Sequence, residues 1–310
     1  MTFKTSISST ARSMVQVLGA NQTRKGLLFM LLATLALAAM HTLVRYISTD
    51  VHPFVIAFFR NLFGFVAVLP LIIRGGLQSL HTKRPGLIAI RLTMGIIAML
   101  SWFYALSKVP IANATALSFS ATIFATLSAW LILGERMRAR RWAAIGVGII
   151  GIIIVLRPGI EGFNIYGLLA IASAVTWGIG VTLVKKLSQT DSITSVVGWM
   201  SIGLTILSIP PAWWFWQTPS LVHLGWLFVI GCLGTIGHLC MTRALSMAET
   251  GPVMSIDFTR LIWTALFGAL IFGDKLDAWT LIGAVIIFGC GLYIIFRESR
   301  LERDTLSTSK

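Results

Sequence analysis

Ten apolar runs, each near the length of a bilayer crossing, constrain this chain more than any other feature. They cover residues 27–48, 53–73, 86–106, 110–133, 142–157, 165–186, 193–213, 222–243, 251–272 and 279–296. A spanning helix needs roughly 20 mostly apolar residues, and hydrocarbon admits only helices and closed barrels. Barrel strands alternate apolar and polar residues over about ten positions, and these runs do not. The fifth and tenth runs are short; they count as spans because they recur at the same place in each half. The expected fold is all-α and integral to the membrane, with ten transmembrane helices. Composition agrees: 12% of residues are charged, against about 25% in soluble domains. A soluble globule and a disordered chain are both excluded. Ten helices consume about 200 residues, so the 310 available leave no separate soluble enzyme domain.

The net charge of +14 does not point to nucleic acid, because the basic residues lie between apolar runs and form no single polar module. Their distribution sets the orientation instead. Eighteen Lys and Arg fall on the side shared by both termini, among them Lys4, Arg74, Arg136, Arg138, Lys185 and Lys310, and four (Arg45, Lys108, Arg157, Lys275) on the other. Cytoplasmic loops carry the basic excess, so both termini are expected in the cytoplasm, and the membrane is expected to be the inner membrane. Trp213, Trp214 and Trp216 then face outward as interface anchors. Residues 1–26 read as a mostly disordered polar tail, and 297–310 as a second cytoplasmic tail. Cys232, Cys240 and Cys290 lie inside apolar runs with no metal-ligand spacing, so no metal and no cofactor is expected. Prolines lie at helix starts (Pro53, Pro85, Pro110, Pro252) or at helix ends and in loops (Pro70, Pro158, Pro210, Pro211, Pro219). The helices should therefore be largely continuous, unlike the unwound half-helices of sodium-coupled folds.

The chain repeats itself. Ala105-Leu106-Ser107 recurs as Ala244-Leu245-Ser246, and Gly134-Glu135-Arg136 as Gly273-Asp274-Lys275, both at an offset of 139. Thr42-Leu43-Val44-Arg45 recurs as Thr182-Leu183-Val184-Lys185 at 140. Each unit holds five helices, 27–157 and 165–296. Five is odd, so the second copy crosses the membrane in the opposite sense. Two inverted five-helix repeats place a solute site near the midplane between them.

With His52-Pro53-Phe54 through Phe58-Phe59-Arg60 opening the second run, and Leu133-Gly134-Glu135-Arg136 echoed by Phe272-Gly273-Asp274-Lys275, the chain resembles the drug/metabolite transporter superfamily, specifically its EamA-like members. The resemblance covers residues 26–297. It implies a central cavity lined by the first to fourth and sixth to ninth helices, with the fifth and tenth set aside. Gly146, Gly148, Gly151, Gly283, Gly289 and Gly291 in those two fit close helix packing. The family includes exporters of amino acids and uptake proteins for solutes such as S-adenosylmethionine.

Ionisable groups inside a bilayer are functional candidates by default; here they are His41, Arg60, Arg91, His238, Asp257 and Arg260. Arg60 lies about 10 Å below the outer surface, where it either meets a wet cavity or snorkels; Phe58, Phe59, Leu62 and Phe63 supply the lipid side, and Asn61 a polar neighbour. Arg91 is close enough to the cytoplasmic end to snorkel. His41 and His238 fall at different depths, too far apart to share a metal; either could pass protons. Trp177 could stack on a planar solute or simply pack. Asp257 and Arg260 are three apart and share a helix face; Asp257 is the carboxylate placed to couple transport to protons. The substrate candidates are thus Arg60, Asn61, Trp177 and Arg260, and the proton candidates Asp257, His41 and His238.

There is no phosphate-cradling Gly-Lys loop, no HExxH and no catalytic pair at one depth, so an enzyme is not expected. The favoured function is a secondary active transporter of a small, amino acid-like, anionic or zwitterionic metabolite, working by alternating access. The alternative is a non-transporting multi-pass sensor or assembly scaffold. Its partners are a small-molecule solute and membrane lipid, with a homodimer compatible and nucleic acid not.

Overall fold

A computed structural model describes residues 3–75, 80–134, 137, 139–158, 164–248 and 250–308. Glu135, Arg136, Arg138 and Lys310 lie outside the described residues. The described chain is helical throughout, as α1 (Phe3–Ile47), α2 (Pro53–Gly75), α3 (Pro85–Lys108), α4 (Ile111–Ser118), α5 (Ala121–Leu133), α6 (Ala139–Leu156), α7 (Gly167–Leu187), α8 (Ile193–Trp214), α9 (Leu221–Met247), α10 (Thr250–Asp257), α11 (Thr259–Phe272) and α12 (Ala278–Thr308). Nine stretches of described helix are long and apolar enough to cross a membrane, and Pro53–Ala67 is a shorter tenth. The protein is a multi-pass membrane protein. The α1 backbone is helical from Phe3 and runs on into the first span.

Two corrections concern helix continuity. α2 continues past Pro70, and α8 past Pro210 and Pro211, by about a turn each. More important, the fourth and ninth runs are each divided in two, α4–α5 and α10–α11, with no proline at either break. The cause is local hydrogen bonding. Ser120 Oγ donates to the Leu117 carbonyl at 2.6 Å, and its repeat equivalent Thr259 Oγ1 donates to the Ile256 carbonyl at 2.8 Å. Hydroxyls that bond back three residues compete with the helical ladder. The backbone tightens in response: the Ser120, Ile123 and Leu261 amides each donate three residues back, at 3.1, 2.9 and 3.0 Å. Phe119, Ser120 and Phe258 keep right-handed helical dihedrals, so each break is a tightened turn and the chain keeps its direction. Both broken helices end at glycines in the left-handed region, Gly134 at φ 70° and Gly273 at φ 68°, a conformation open to glycine without penalty.

Packing pairs the two halves. α1 lies on α9 and α3 on α7; α11 lies on α1 and α5 on α7; α2 meets α8, and α6 meets α12. Leu37, Met40, Val44, Ile56, Phe103, Leu106 and Ile230 form one buried cluster, and Leu117, Ile123, Ile145, Leu261 and Ile287 another. Phe58, Phe59 and Phe63, expected to meet lipid, pack partly buried against protein: Phe59 and Phe58 against Trp216, and Phe63 against Phe228. Trp216 of the α8–α9 connection and Phe228 of α9 lie against that face of α2, which the run's own pattern could not show. Trp213 and Trp214 are exposed, as anchors would be.

The α6–α12 contact rests on small residues. A Cβ on Gly283 would lie 2.7 Å from the Gly151 carbonyl oxygen, and one on Gly151 would lie 2.9 Å from Ile287. A Cβ on Gly146 or Gly289 would meet nothing within 4 Å, so only part of the glycine set is needed for close packing. At the rim, Asp277 caps α12 by accepting from the Thr280 amide at 2.9 Å and its hydroxyl at 2.8 Å, and pairs with Arg157 at the end of α6. Burial alone would raise the Asp277 carboxyl; the Thr280 bonds and the Arg157 guanidinium outweigh it and hold it below the ordinary range. Asp274, just past α11, pairs with Arg45 at the end of α1, whose guanidinium also lies over the Phe272 ring.

Candidate functional site

The two breaks meet. Phe119 and Phe258, repeat equivalents at an offset of 139, have ring centroids 6.0 Å apart, and Phe288 of α12 touches both at 5.5 and 4.5 Å. Beside this ring trio stands the one intramembrane carboxylate among the candidates. Asp257 ends α10 and Arg260 lies in the first turn of α11, and Arg260 Nη2 donates to Asp257 Oδ2 at 3.0 Å. Their spacing of three would allow this in any helix; the tightened turn at Phe258 keeps the face continuous. The other side of Arg260 lies over the Phe119 ring, 5.1 Å from its centroid, within cation–π range. Asp257 is buried at 6% exposure. A cavity of about 30 Å³ adjoins it, lined by Phe119, Thr122, Met254, Phe288, Gly291 and Ile295, with room for a water. Three of these residues belong to α12, so the tenth helix is not set aside from the site as expected.

Two histidines and a second arginine complete the constellation. Met40 and the Arg60 guanidinium both crowd Gly234 of α9: a Cβ there would lie 2.9 Å from Met40 Sδ and 3.1 Å from Arg60 Nε. His238 is four residues beyond Gly234, one turn on along the same helix face. Arg60, His41 and His238 therefore gather near one junction of α1, α2 and α9, although sequence depth alone separated His41 from His238. The reason is vertical offset: Gly237 of α9 sits against Leu37 and the Ala33 carbonyl, which brings His238 within about a turn of His41. His238 is exposed, one turn beyond the buried Gly234. Among the described residues no three His, Cys, Asp or Glu side chains converge as a metal set would.

Donors outnumber acceptors here. Trp102 Nε1 of α3 donates to His41 Nε2 at 3.2 Å, which fixes the imidazole with its proton on Nδ1. His41 Nδ1 is buried without a partner, and so are Arg260 Nε and Trp263 Nε1, three residues along α11 from Arg260. Asn61 donates through Nδ2 to the Leu204 carbonyl of α8 at 3.2 Å, while its Oδ1 faces Arg60 Nη1 at 3.3 Å. Its hydrogen bonds hold Arg60 and tie α2 to α8. Thr34 and Thr259 hydroxyls meet at 2.9 Å, joining α1 to the second break.

Trp177 stands elsewhere. It lies on α7, 46% exposed, with Arg91 Cζ 5.9 Å from its ring. Arg91 does not snorkel: it is 6% exposed, with Nε and Nη1 buried and unpaired. Distance from the helix end gave its depth but not its face. The missed signals are Gly95 and Gly180, whose absent side chains leave the space this guanidinium fills.

Comparison with known proteins agrees with this architecture. The sequence profile of the EamA-like transporter family matches twice, over residues 24–157 and 164–297. An S-adenosylmethionine uptake transporter of Rickettsia bellii is 32% identical over 275 residues, 89% of this chain and 94% of that protein. A riboflavin transporter of Rhizobium johnstonii is 29% identical over 282 residues, 90% of this chain and 93% of that one. A solved crystal structure, 20% identical, superposes with a TM-score of 0.58 over 91% of this chain and 99% of its own, which speaks to the fold.

Proposed function

The chain belongs to the EamA-like transporter family and moves a small metabolite across a membrane, and we propose that its solute is a zwitterionic, amino acid-bearing molecule with a planar heterocycle, of which S-adenosylmethionine is the test case. The observation that carries this is the surplus of unmet donors around one carboxylate. Buried polar groups are almost always hydrogen-bonded, yet His41 Nδ1, Arg260 Nε and Trp263 Nε1 have no acceptor in the protein. A ligand that completes them brings acceptors, and a carboxylate is the strongest. Asp257 supplies the complementary charge for an ammonium or sulfonium, and the rings of Phe119, Phe258 and Phe288 are near enough for a flat heterocycle or a cation. Binding then exchanges one internal ion pair, Asp257–Arg260, for two pairs with the solute. Arg60, held by Asn61, is the second anion-facing group.

The working cycle in this proposal is alternating access between two inverted five-helix repeats, 27–157 and 165–296. The doubled profile match supports it. So does the exchange of partners: α1 on α9 is answered by α7 on α3, α11 on α1 by α5 on α7, and one break by the other. Both termini lie in the cytoplasm and the membrane is the inner membrane, on the strength of the basic-residue bias. Protons couple to the cycle through Asp257: once protonated, it releases Arg260 to the solute's carboxylate, and passing that proton on to His41 or His238 as relays leaves Asp257 ionised to pair with the solute's cation.

Purified protein in liposomes tests the solute. S-adenosylmethionine should accumulate, Arg260→Ala and Arg60→Ala should abolish uptake while the proteins still fold, and Arg60→Lys should keep part of it, since charge survives and fork geometry does not. Equal uptake of uncharged riboflavin, unaffected by either alanine, would overturn the zwitterion. A reporter active only outside the cytoplasm, fused after Lys310, should stay silent.

A further inference from the structure

We propose that Arg91, with the face of Trp177, forms a second anion subsite that receives the solute's carboxylate on the cytoplasmic side of the central cluster. This rests on the reading of the chain as a carrier of a carboxylate-bearing solute. The starting point is an unbalanced charge. Arg91 is 6% exposed, and its Nε and Nη1 are buried with no hydrogen-bond partner. Among the described residues the paired carboxylates are Asp50, Asp257, Asp274 and Asp277, and none pairs with Arg91. An uncompensated buried guanidinium is costly unless an anion joins it. Its surroundings are apolar and small. A Cβ on Gly95 would lie 2.9 Å from Arg91 Nη1, and one on Gly180 of α7 would lie 3.1 Å from Arg91 Cζ. Met200 and Leu204 of α8 close the pit. The Trp177 ring, half open, stands on its rim.

The second observation is where this pit lies. Gly95 is the repeat equivalent of Gly234, at the offset of 139, and Gly234 is the glycine crowded by Arg60. One arginine fills the junction of α1, α2 and α9; the other fills the equivalent junction of α7, α8 and α3. The arginines come from different helices, so the repeat alone does not produce them. Arg91 lies about 9 Å along α3 from Pro85, at the end facing the cytoplasm in the proposed orientation. Arg60 is half-buried beside the exposed His238, while the Arg91 pit is shut. In the opposite state of the cycle the second junction opens. The carboxylate then passes from Arg60 and Arg260 to Arg91, with the heterocycle against Trp177.

The test separates this subsite from the central one by sidedness. In right-side-out and inside-out vesicles of phosphatidylcholine, Arg91→Met should raise the KM for S-adenosylmethionine at the cytoplasmic face about tenfold and leave the external KM within about twofold. Arg91→Lys should recover part of the loss. Equal shifts at both faces, or none, overturn the proposal; so does a sided effect that appears only when phosphatidylglycerol is present, because the anion is then a lipid phosphate. A second measurement does not depend on the transported solute. Benzoate, a ring with a carboxylate, should raise the Tm of the Arg60→Met protein in detergent and should fail to raise that of Arg60→Met with Arg91→Met. Equal stabilisation of both overturns the subsite. If benzoate discriminates but no zwitterion is transported, the subsite stands and the solute reading fails.

Discussion

The two broken helices, α4–α5 and α10–α11, share a backbone and differ in chemistry. Each tightens at a phenylalanine followed by a hydroxyl residue, Phe119-Ser120 and Phe258-Thr259, and each ends at a left-handed glycine. Around the first break the chain carries Ser118 and Ala121; around the second, at the same places, Asp257 and Arg260. The turn is therefore a scaffold device present in both halves, and the charged pair is an addition to one of them. Mirrored backbone suits a protein that adopts two mirrored states, whereas the charged pair belongs to one half alone.

The largest expected effect comes from making the second break resemble the first. Asp257→Ser alone leaves the partly buried Arg260 without its carboxylate, which should cost at most about 3–5 kcal/mol of stability. Asp257→Ser with Arg260→Ala removes both charges and installs the first half's residues. Thermal unfolding should return most of the way to the parent value while uptake stays abolished. Proton-dependent uptake in that double variant would remove the pair from the mechanism.

A smaller effect tests how closely the halves match in packing. A Cβ on Gly178 of α7 would lie 2.6 Å from the Ala125 amide nitrogen and 2.9 Å from the Ala121 carbonyl oxygen. The position is occupied by Ala38 in α1, at an offset of 140. Backbone cannot yield as a side chain can, so Gly178→Ala should cost about 1–3 kcal/mol. Ala38→Gly should cost only about 0.5–1 kcal/mol. Similar losses from both, read as Tm in one detergent, would show that α5 approaches α7 no more closely than α11 approaches α1.

The same contrast explains what the sequence made legible. The spans were readable because bilayer thickness sets their length, and the Asp257–Arg260 contact because a spacing of three fixes a shared face. The breaks are not, since they hold no proline and their agents are Ser120 and Thr259, unremarkable residues in any apolar run. Neither is the similar depth of His41 and His238, which depends on how far α9 slides along α1. Arg91 was placed at the right depth and given the wrong surroundings, because depth says nothing about which neighbour carries a glycine.

Next in size is the hydroxyl pair itself. Ser120 bonds only within its own turn, while Thr259 also meets Thr34 of α1 at 2.9 Å. Ser120→Ala should cost about 0.5–1.5 kcal/mol, the usual worth of one hydrogen bond, and Thr259→Val should cost more. Thr34→Val added to Thr259→Val should cost less than the sum of the two single changes, because they share a bond. Additive losses would mean that the threonines are not coupled and that the two breaks are held alike.

The smallest effect contrasts the central acid–arginine pair with the one at the rim. Asp277 is joined to Arg157 and to Thr280, and the carboxylate is about one third open to water. Screening keeps such a pair near 0.2–1 kcal/mol, and asparagine can still cap the helix, so Asp277→Asn should lower the Tm by a few degrees at most. The sign of its pH dependence follows from the depressed carboxyl. The unfolded chain binds the proton more readily, so the contribution is complete above the ordinary carboxylate value near 4 and is lost as pH falls through the lower folded value. Unfolding curves of the parent and Asp277→Asn should differ at pH 6 and converge towards pH 2. A gap that persists unchanged at pH 2 would mean that geometry, and not charge, makes this residue useful, and the rim pair would then be a helix cap alone.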